Sequence, residues 1–174
     1  MRSSQLISSN LEANEAIGLR SMHARYLSII LLLLFLLLPS YADEGQLKSG
    51  PVDPAIEELV RLVNAKRRSV GCPELRWDDR VAAVASAHST DMVTRNFFKH
   101  TNPDGESPFE RLRKSKVVFS AAAENIALGP RTGQEAYDIW LSSPGHRRNM
   151  LDCRFTRQGV GRTTNRWTHV LLTP

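Results

Sequence analysis

The sequence lacks the short motifs that identify the common hydrolases and nucleotide-binding proteins. It contains no His-Glu-x-x-His pair for a zinc protease and no Gly-x-Ser-x-Gly elbow for a serine hydrolase. The stretch 159–164 has neither the spacing nor the lysine of a phosphate-binding loop, so we interpret it as a closely packed strand. Enzyme activity is therefore uncertain, and a protein without activity is the favoured interpretation.

The sequence also contains no internal repeat, no low-complexity tract and no Asn-x-Ser/Thr glycosylation acceptor. Its formal net charge is only +5 over 174 residues. The basic cluster at 66–68 lies near the end of a predicted helix and has no aromatic residues interleaved with it, so it does not indicate a nucleic-acid interface. We expect no nucleic-acid partner. A solvated surface is favoured over attraction to anionic cell surfaces.

The N-terminal region has the three parts of a secretory signal peptide. A short basic region begins at Met22, an apolar run extends from Ile29 to Leu38, and the small residues Ser40 and Ala42 follow. The apolar run is shorter than the roughly 20 residues that a membrane helix needs. We predict a leader over 1–42, with Met22 as an alternative start, and a secreted, extracellular, monomeric protein without a stable membrane span. An uncleaved anchor is the alternative.

A single domain is expected after the leader. Residues 43–52 form a polar linker, and the domain is predicted over 53–174. Its first helix is predicted to begin at Pro54 after an Asp53 cap and to end at Gly71, with apolar residues recurring at helical spacing between them.

A second helix is predicted from a cap at Asp78 or Asp79 to about Asn96. His88 lies in its apolar stripe, and we interpret it as a core histidine in preference to a ligand. Further signals predict short helices beginning after Ser107 and Thr132, a strand over 125–129, a strand or buried loop over 117–119, and a hairpin of strands over 158–162 and 167–172.

The chain has two cysteines, Cys72 and Cys153. The predicted signal peptide directs the protein to an oxidising compartment, where a disulfide persists. We therefore predict a Cys72–Cys153 disulfide. Two free buried thiols are the alternative.

Four short motifs occur in a defined order along the chain. They are Phe-x-His-Thr-x-Pro-Asp-Gly at 98–105, Glu-Asn-Ile-Ala at 124–127, Trp-x-x-Ser-Pro-Gly-His-Arg-x-Asn at 140–149 and Gly-Val-Gly at 159–161. Each motif alone is weak, but their order resembles the CAP superfamily, and most of all its bacterial-type, SCP-like branch. This superfamily includes cysteine-rich secretory proteins, antigen 5 and plant pathogenesis-related proteins. The resemblance covers roughly 54–172 and implies an α/β fold, a three-layer α-β-α sandwich with a small, mainly antiparallel sheet.

The resemblance also implies a cleft that carries two histidines and two glutamates. By motif, His100 and His146 take the histidine positions and Glu124 takes the first glutamate position. The second glutamate is expected near Ser143, so the set is incomplete here. We predict that His100, Glu124, His146 and Ser143 line a ligand-binding cleft. We interpret Ser143 as a helix cap in preference to a nucleophile.

Two imidazoles and a carboxylate also form a tentative metal site, because zinc accepts three protein ligands and an open fourth position. The favoured alternative is that His100, Glu124 and His146 orient one another or a ligand without metal. The prediction is therefore no firm cofactor, with weakly bound zinc to be tested.

Members of the family that the chain resembles are secreted and often bind lipids, sterols or protein partners. The resemblance therefore implies a secreted binding module for an extracellular ligand. Two alternatives remain open: a metal-dependent hydrolase that uses the same cleft, and a structural or wall-associated protein whose cleft is vestigial.

Overall fold

The structure, a computed structural model, describes residues 53–174. The predicted leader over 1–42, its cleavage after Ala42 and the linker over 43–52 lie outside these residues. Among the helices from Pro54 onward, none combines the length and the apolar character needed to cross a membrane.

Helices and strands are interspersed along the described domain. In chain order they are α1 (Pro54–Ser69), β1 (Arg76–Trp77), α2 (Asp79–Thr94), α3 (Pro108–Lys114), β2 (Ala121–Leu128), α4 (Gly133–Ser142), α5 (Pro144–Leu151), β3 (Arg157–Thr163) and β4 (Arg166–Thr173).

The predicted helix starts are confirmed. The Asp53 carboxylate caps α1, Asp78 caps α2, and Ser107 forms a capping box with Glu110 at the start of α3. Thr132 caps α4 through its hydroxyl group. Because these side chains satisfy main-chain N–H groups that a helix leaves unpaired, they fix where each helix begins.

The four strands form one sheet in the order β1-β3-β4-β2. The short strand β1 pairs in parallel with β3, whereas β3–β4 and β2–β4 are antiparallel. The predicted hairpin is therefore confirmed as β3 and β4. The strand predicted at 125–129 begins earlier in the structure, where β2 extends from Ala121 to Leu128. The segment 117–119 is a loop in which Val117 is buried and Val118 is exposed.

Strand alternation divides the apolar side chains between two cores. Val160 and Leu171 belong to the core that the sheet forms with α1, α4 and α5. Val170 and Leu172 belong to the core on the opposite face, with α2 and α3. Because helices cover both faces of a mainly antiparallel sheet, the predicted three-layer α-β-α sandwich is confirmed.

Strand β3 packs directly against the backbone of α2. A Cβ atom added to Gly159 would collide with the main chain of Ala82, and one added to Gly161 would collide with that of Ser86. The prediction of a closely packed glycine strand at 159–164 is therefore confirmed.

The predicted disulfide is present between Cys72 and Cys153, whose Cα atoms lie 4.9 Å apart and whose positions are separated by 81 residues. It joins the segment after α1 to the segment after α5. Between these segments lies the buried guanidinium of Arg67, which donates hydrogen bonds to the main-chain carbonyls of Pro73, Met150, Asp152 and Phe155.

Reduction of the disulfide is expected to lower the free energy of unfolding by about 2–4 kcal/mol, because the bond restricts the unfolded chain. Thermal unfolding with and without a reducing agent measures this loss. A double Cys72→Ser, Cys153→Ser variant is the control, since it should be destabilised equally and should not respond to the reducing agent. Equal melting temperatures for all forms would contradict the expectation.

Candidate functional site

The candidate site is built around two consecutive residues of β2. Glu124 lies opposite Val170 of β4, and Asn125 lies opposite His169. Because neighbouring residues of a strand point to opposite faces of the sheet, Glu124 faces the layer of α2 and α3, whereas Asn125 faces the layer of α5. Strand β2 thus presents one polar residue of the site on each face of the sheet.

The Glu124 carboxylate binds one partner with each oxygen. Its Oε1 atom lies 2.8 Å from Nδ1 of His100, and its Oε2 atom accepts a hydrogen bond of 2.7 Å from Nη2 of Arg111. The Glu124 side chain is only 2% exposed, whereas that of His100 is 48% exposed. The cluster therefore places a buried ion pair beneath an accessible imidazole.

Arg111 also fixes the loop that carries His100. Its Nη1 atom donates to the main-chain oxygen of His100 at 2.8 Å and to that of Glu106 at 3.0 Å. Arg111 belongs to none of the four motifs and is buried in the last part of a short helix, so the sequence did not predict it as a site residue. The available signal was indirect: a buried carboxylate needs a cationic partner, and α3 carries several basic side chains.

His88 is buried, as predicted for a core residue. Its Nε2 atom lies 3.0 Å from the Lys99 carbonyl oxygen and 3.9 Å from Oε1 of Glu124. Because a carbonyl only accepts hydrogen bonds, Nε2 donates, and Nδ1 is left without a hydrogen-bond partner. Burial lowers the pKa of His88, so the ring is held neutral beneath the Glu124 cluster.

His146 lies near the start of α5, on the side of the sheet that Asn125 faces. The Asn125 side-chain amide donates to the His146 main-chain oxygen at 3.0 Å, and the Asn149 amide donates to Oδ1 of Asn125 at 2.8 Å. Burial lowers the pKa of His146, and the charge of His100 lowers it further. The motifs contained both asparagines, but their role follows only from the structure.

Ser143 occupies the N-cap position of α5 with an extended backbone, but its hydroxyl group makes no capping hydrogen bond. Its main-chain oxygen instead accepts from the N–H group of Arg147 at 2.8 Å. The predicted cap position of Ser143 is therefore confirmed, but its hydroxyl group does not bond to the helix. Pro144 does not explain the difference, because α1 and α3 also begin with proline and are capped by side chains.

The tentative metal set is not assembled as a three-ligand site. Among residues 53–174, no group of three or more His, Cys, Asp or Glu side chains is arranged to hold one ion. Glu124 is instead buried between His100 and Arg111, and each of its oxygens contacts one of them. Glu124 contacts only Nδ1 of His100, so Nε2 of His100 and both ring nitrogens of His146 are not bonded to this carboxylate.

A cavity of about 570 Å³ lies between α2 and α3, behind the Glu124 cluster. His88 and Arg111 contribute to its wall, and both contain one buried nitrogen without a hydrogen-bond partner: Nδ1 of His88 and Nε of Arg111. The two histidines of the cleft, His100 and His146, do not line it. The cavity therefore lies apart from the two histidines that the motifs predict to line the site.

Comparisons with curated proteins identify two relatives in Bacillus subtilis (strain 168). The uncharacterized protein YkwD is 38% identical over 105 residues, which cover 60% of this chain and 41% of YkwD. The uncharacterized membrane protein YlbC is also 38% identical over 105 residues, which cover 60% of this chain and 30% of YlbC. The chain thus spans less than half the length of these relatives.

Solved structures with the same fold come from three bacteria. An extracellular protein containing an SCP domain from Bacillus anthracis is 36% identical with a TM-score of 0.66, over 72% of this chain and 45% of that one. A cysteine-rich secretory protein from Staphylococcus aureus is 19% identical with a TM-score of 0.61, over 71% and 40%. An outer surface protein from Borrelia burgdorferi is 21% identical with a TM-score of 0.62, over 71% and 93%.

The four motifs, the three-layer sandwich and these structural neighbours agree with one another. The model of the CAP family, described as the cysteine-rich secretory protein family, matches residues 60–170. The chain therefore belongs to the CAP family.

Proposed function

We propose that this protein is a secreted binding module whose extracellular ligand occupies the cleft between His100 and His146. The observation that carries the proposal is the arrangement around Glu124: an exposed imidazole on one wall, a half-buried imidazole on the other, and a carboxylate already neutralised by Arg111. Such a cleft offers directional hydrogen bonds to a ligand without a free charge to bury.

Secretion is supported by the signal-peptide pattern and by relatives described as extracellular or outer-surface proteins. YlbC is described as a membrane protein, so relatives of this family differ in how they are attached to the cell. A lipid, a sterol or another extracellular molecule is the ligand class to examine.

A hydrolase is less well supported by the same geometry. The Glu124 side chain is only 2% exposed and bonds to His100 and Arg111, so an attacking water molecule has little access to its oxygens. The Ser143 hydroxyl group makes no hydrogen bond with His146 among the described residues, so no activated nucleophile is formed.

The proposal is tested by mass spectrometry of molecules that co-purify with the natively secreted protein. We expect a bound molecule with the wild type, and its loss with His100→Ala and with His146→Ala. Arg148→Ala on the exposed surface of α5 is the matched control and should retain the molecule. Equal retention by all four proteins would place the ligand elsewhere and contradict the proposal.

Zinc is expected to bind weakly and to require both His100 and His146, because a closed zinc site needs four protein ligands. Binding should weaken as the pH falls through the imidazole range near about 6.5, since a protonated ring cannot bind metal. The lowered pKa of His146 keeps that ring available further into acid. Calorimetric titration of the wild type and both alanine variants measures this, and tight binding that survives both substitutions would contradict it.

A further inference from the structure

Strand β2 lies at one end of the sheet, so one of its edges has no neighbouring strand. The N–H group of Gly129 donates to the carbonyl oxygen of Asn165, next to β4, at 2.9 Å. In an antiparallel pair, hydrogen bonds to the partner alternate along the strand, so the odd-numbered residues of β2 point toward β4. The N–H and C=O groups of Ala122, Glu124 and Ile126 therefore point away from the sheet.

A side-chain contact supports this assignment independently. The indole N–H of Trp140 donates to the Ile126 carbonyl oxygen at 3.1 Å, a bond that is possible only on the outer edge. For the N–H and C=O groups of Ala122 and Glu124, the structure gives no such partner among residues 53–174. Among residues 53–174, two N–H donors and two C=O acceptors, those of Ala122 and Glu124, are thus without a hydrogen-bond partner.

Part of this stretch is exposed to solvent. Glu124 as a whole is 8% exposed although its side chain is 2% exposed, so its accessible surface lies mainly on its main chain. The residues before it, Ala121 to Ala123, are half-buried and carry only methyl groups. No bulky side chain on the strand itself therefore blocks an approaching molecule.

We infer that the ligand of the cleft is a peptide segment in extended conformation, which pairs with the outer edge of β2 at Ala122 and Glu124. The inference rests on the proposed function, because it names the ligand class of the same cleft. Alternate residues of a strand repeat at roughly 6.8 Å, and each presents one donor and one acceptor on the same side. An extended peptide has this pattern, whereas a hydrocarbon chain has no such groups and a sterol has a single hydroxyl group.

The walls of the cleft define how the peptide lies. Its side chains alternate between the wall of His100 and the wall of His146, as residues of any strand alternate between faces. The Ile126 carbonyl is already bound by Trp140, so pairing ends before that residue. Without the predicted leader, 20 basic side chains stand against 16 acidic ones, and this net charge of +4 favours a peptide that carries acidic side chains.

The probe is a pool of end-capped octapeptides of randomised sequence, incubated with the full secreted protein and analysed by mass spectrometry after removal of unbound peptide. Ala122→Pro removes one edge donor while leaving the ladder to β4, because the lost N–H group points outward. Ala122→Ser is the matched control, since it changes the side chain and keeps the N–H group. The same pool with N-methylated main-chain amides tests the pairing without altering the protein.

We expect the wild type and Ala122→Ser to retain peptides, and about tenfold less retention with Ala122→Pro or with N-methylated peptides. Equal melting temperatures of the two variants establish that the proline variant is folded, and if it is not, the N-methylated pool decides alone. Equal retention under all conditions, or no peptide retained by the wild type, overturns the inference. The proposed function is judged separately, by the co-purifying molecule and its loss with the histidine variants.

A second copy of the chain is the competing occupant of this edge. Light scattering that shows a dimer of the wild type, and a monomer with Ala122→Pro, would replace the peptide by a partner strand and overturn the inference. A monomeric wild type that retains peptides supports it.

Discussion

Replacing Glu124 by alanine is expected to lower the free energy of unfolding by about 3–5 kcal/mol, because the substitution leaves a buried guanidinium without its counter-ion. Arg111 is mostly buried, and Glu124 is the carboxylate that it contacts, at 2.7 Å. The loss should also release His100, whose ring is held by the same carboxylate at 2.8 Å. Chemical denaturation measures the stability, and the NMR signals of the His100 ring report its release.

Two further variants separate the charge from the shape of Glu124. Glu124→Gln retains one acceptor and the volume of the side chain, so it should lose less stability than the alanine variant. The double variant Glu124→Ala, Arg111→Met removes both charges and should recover part of the loss, because no buried ion remains unpaired. A double variant that is destabilised by the sum of the two single losses would contradict this account.

Replacing Arg67 by alanine is expected to cost a similar amount, about 3–5 kcal/mol. The Arg67 side chain is fully buried, and its guanidinium donates to four main-chain carbonyls. Removal takes the guanidinium donor from all four carbonyls, of which that of Asp152 keeps a bond from the Phe155 N–H group. The carbonyls of Met150 and Asp152 lie at the end of α5, so the wall that carries His146 should loosen together with the core.

Neighbouring residues provide controls for Arg67. Arg68→Ala removes an exposed ion pair with Glu74, so it should change the free energy of unfolding by less than about 1 kcal/mol. Arg67→Lys keeps the charge but cannot reach four carbonyls in a fork, so an intermediate loss is expected. Equilibrium denaturation of the three variants measures the series, and equal stabilities of the variants at positions 67 and 68 would contradict the assigned role.

The parts of the fold that the sequence predicted are those with local chemical signals. Asp53, Ser107 and Thr132 precede helices because their side chains bind main-chain N–H groups within the next turn, and this requires no knowledge of distant contacts. The pairing of β3 with β4 was equally local, since a short turn joins them.

The features that could not be predicted depend on contacts between distant parts of the chain. The start of β2 at Ala121 was missed because alanine has a low strand propensity, and pairing with β4 overrides that preference. The short strand β1 has no signal in the sequence, since two residues form a strand only by pairing with β3.

The sequence predicted which residues belong to the candidate site, but not which residues they bond to. His100, Glu124 and His146 were named from motifs, and His100 was found in contact with Glu124. Their partners were missed for a physical reason: an arginine near a helix end has the same sequence pattern whether it is solvated or buried. Arg67 and Arg111 are buried, whereas Arg68 and Arg113 are exposed, and only tertiary packing distinguishes the two pairs.

The glycines of β3 have a consequence for how the cleft changes its width. At Gly159 and Gly161 the strand meets α2 backbone to backbone, so no side chain is available to adjust the spacing between that helix and the sheet. The layer that carries His88 is therefore mechanically fixed. On the other side, α5 has eight residues and meets β2 through the amide groups of Asn125 and Asn149. If the site adapts to ligands of different thickness, we therefore expect the His146 side to move while the His88 side keeps its position.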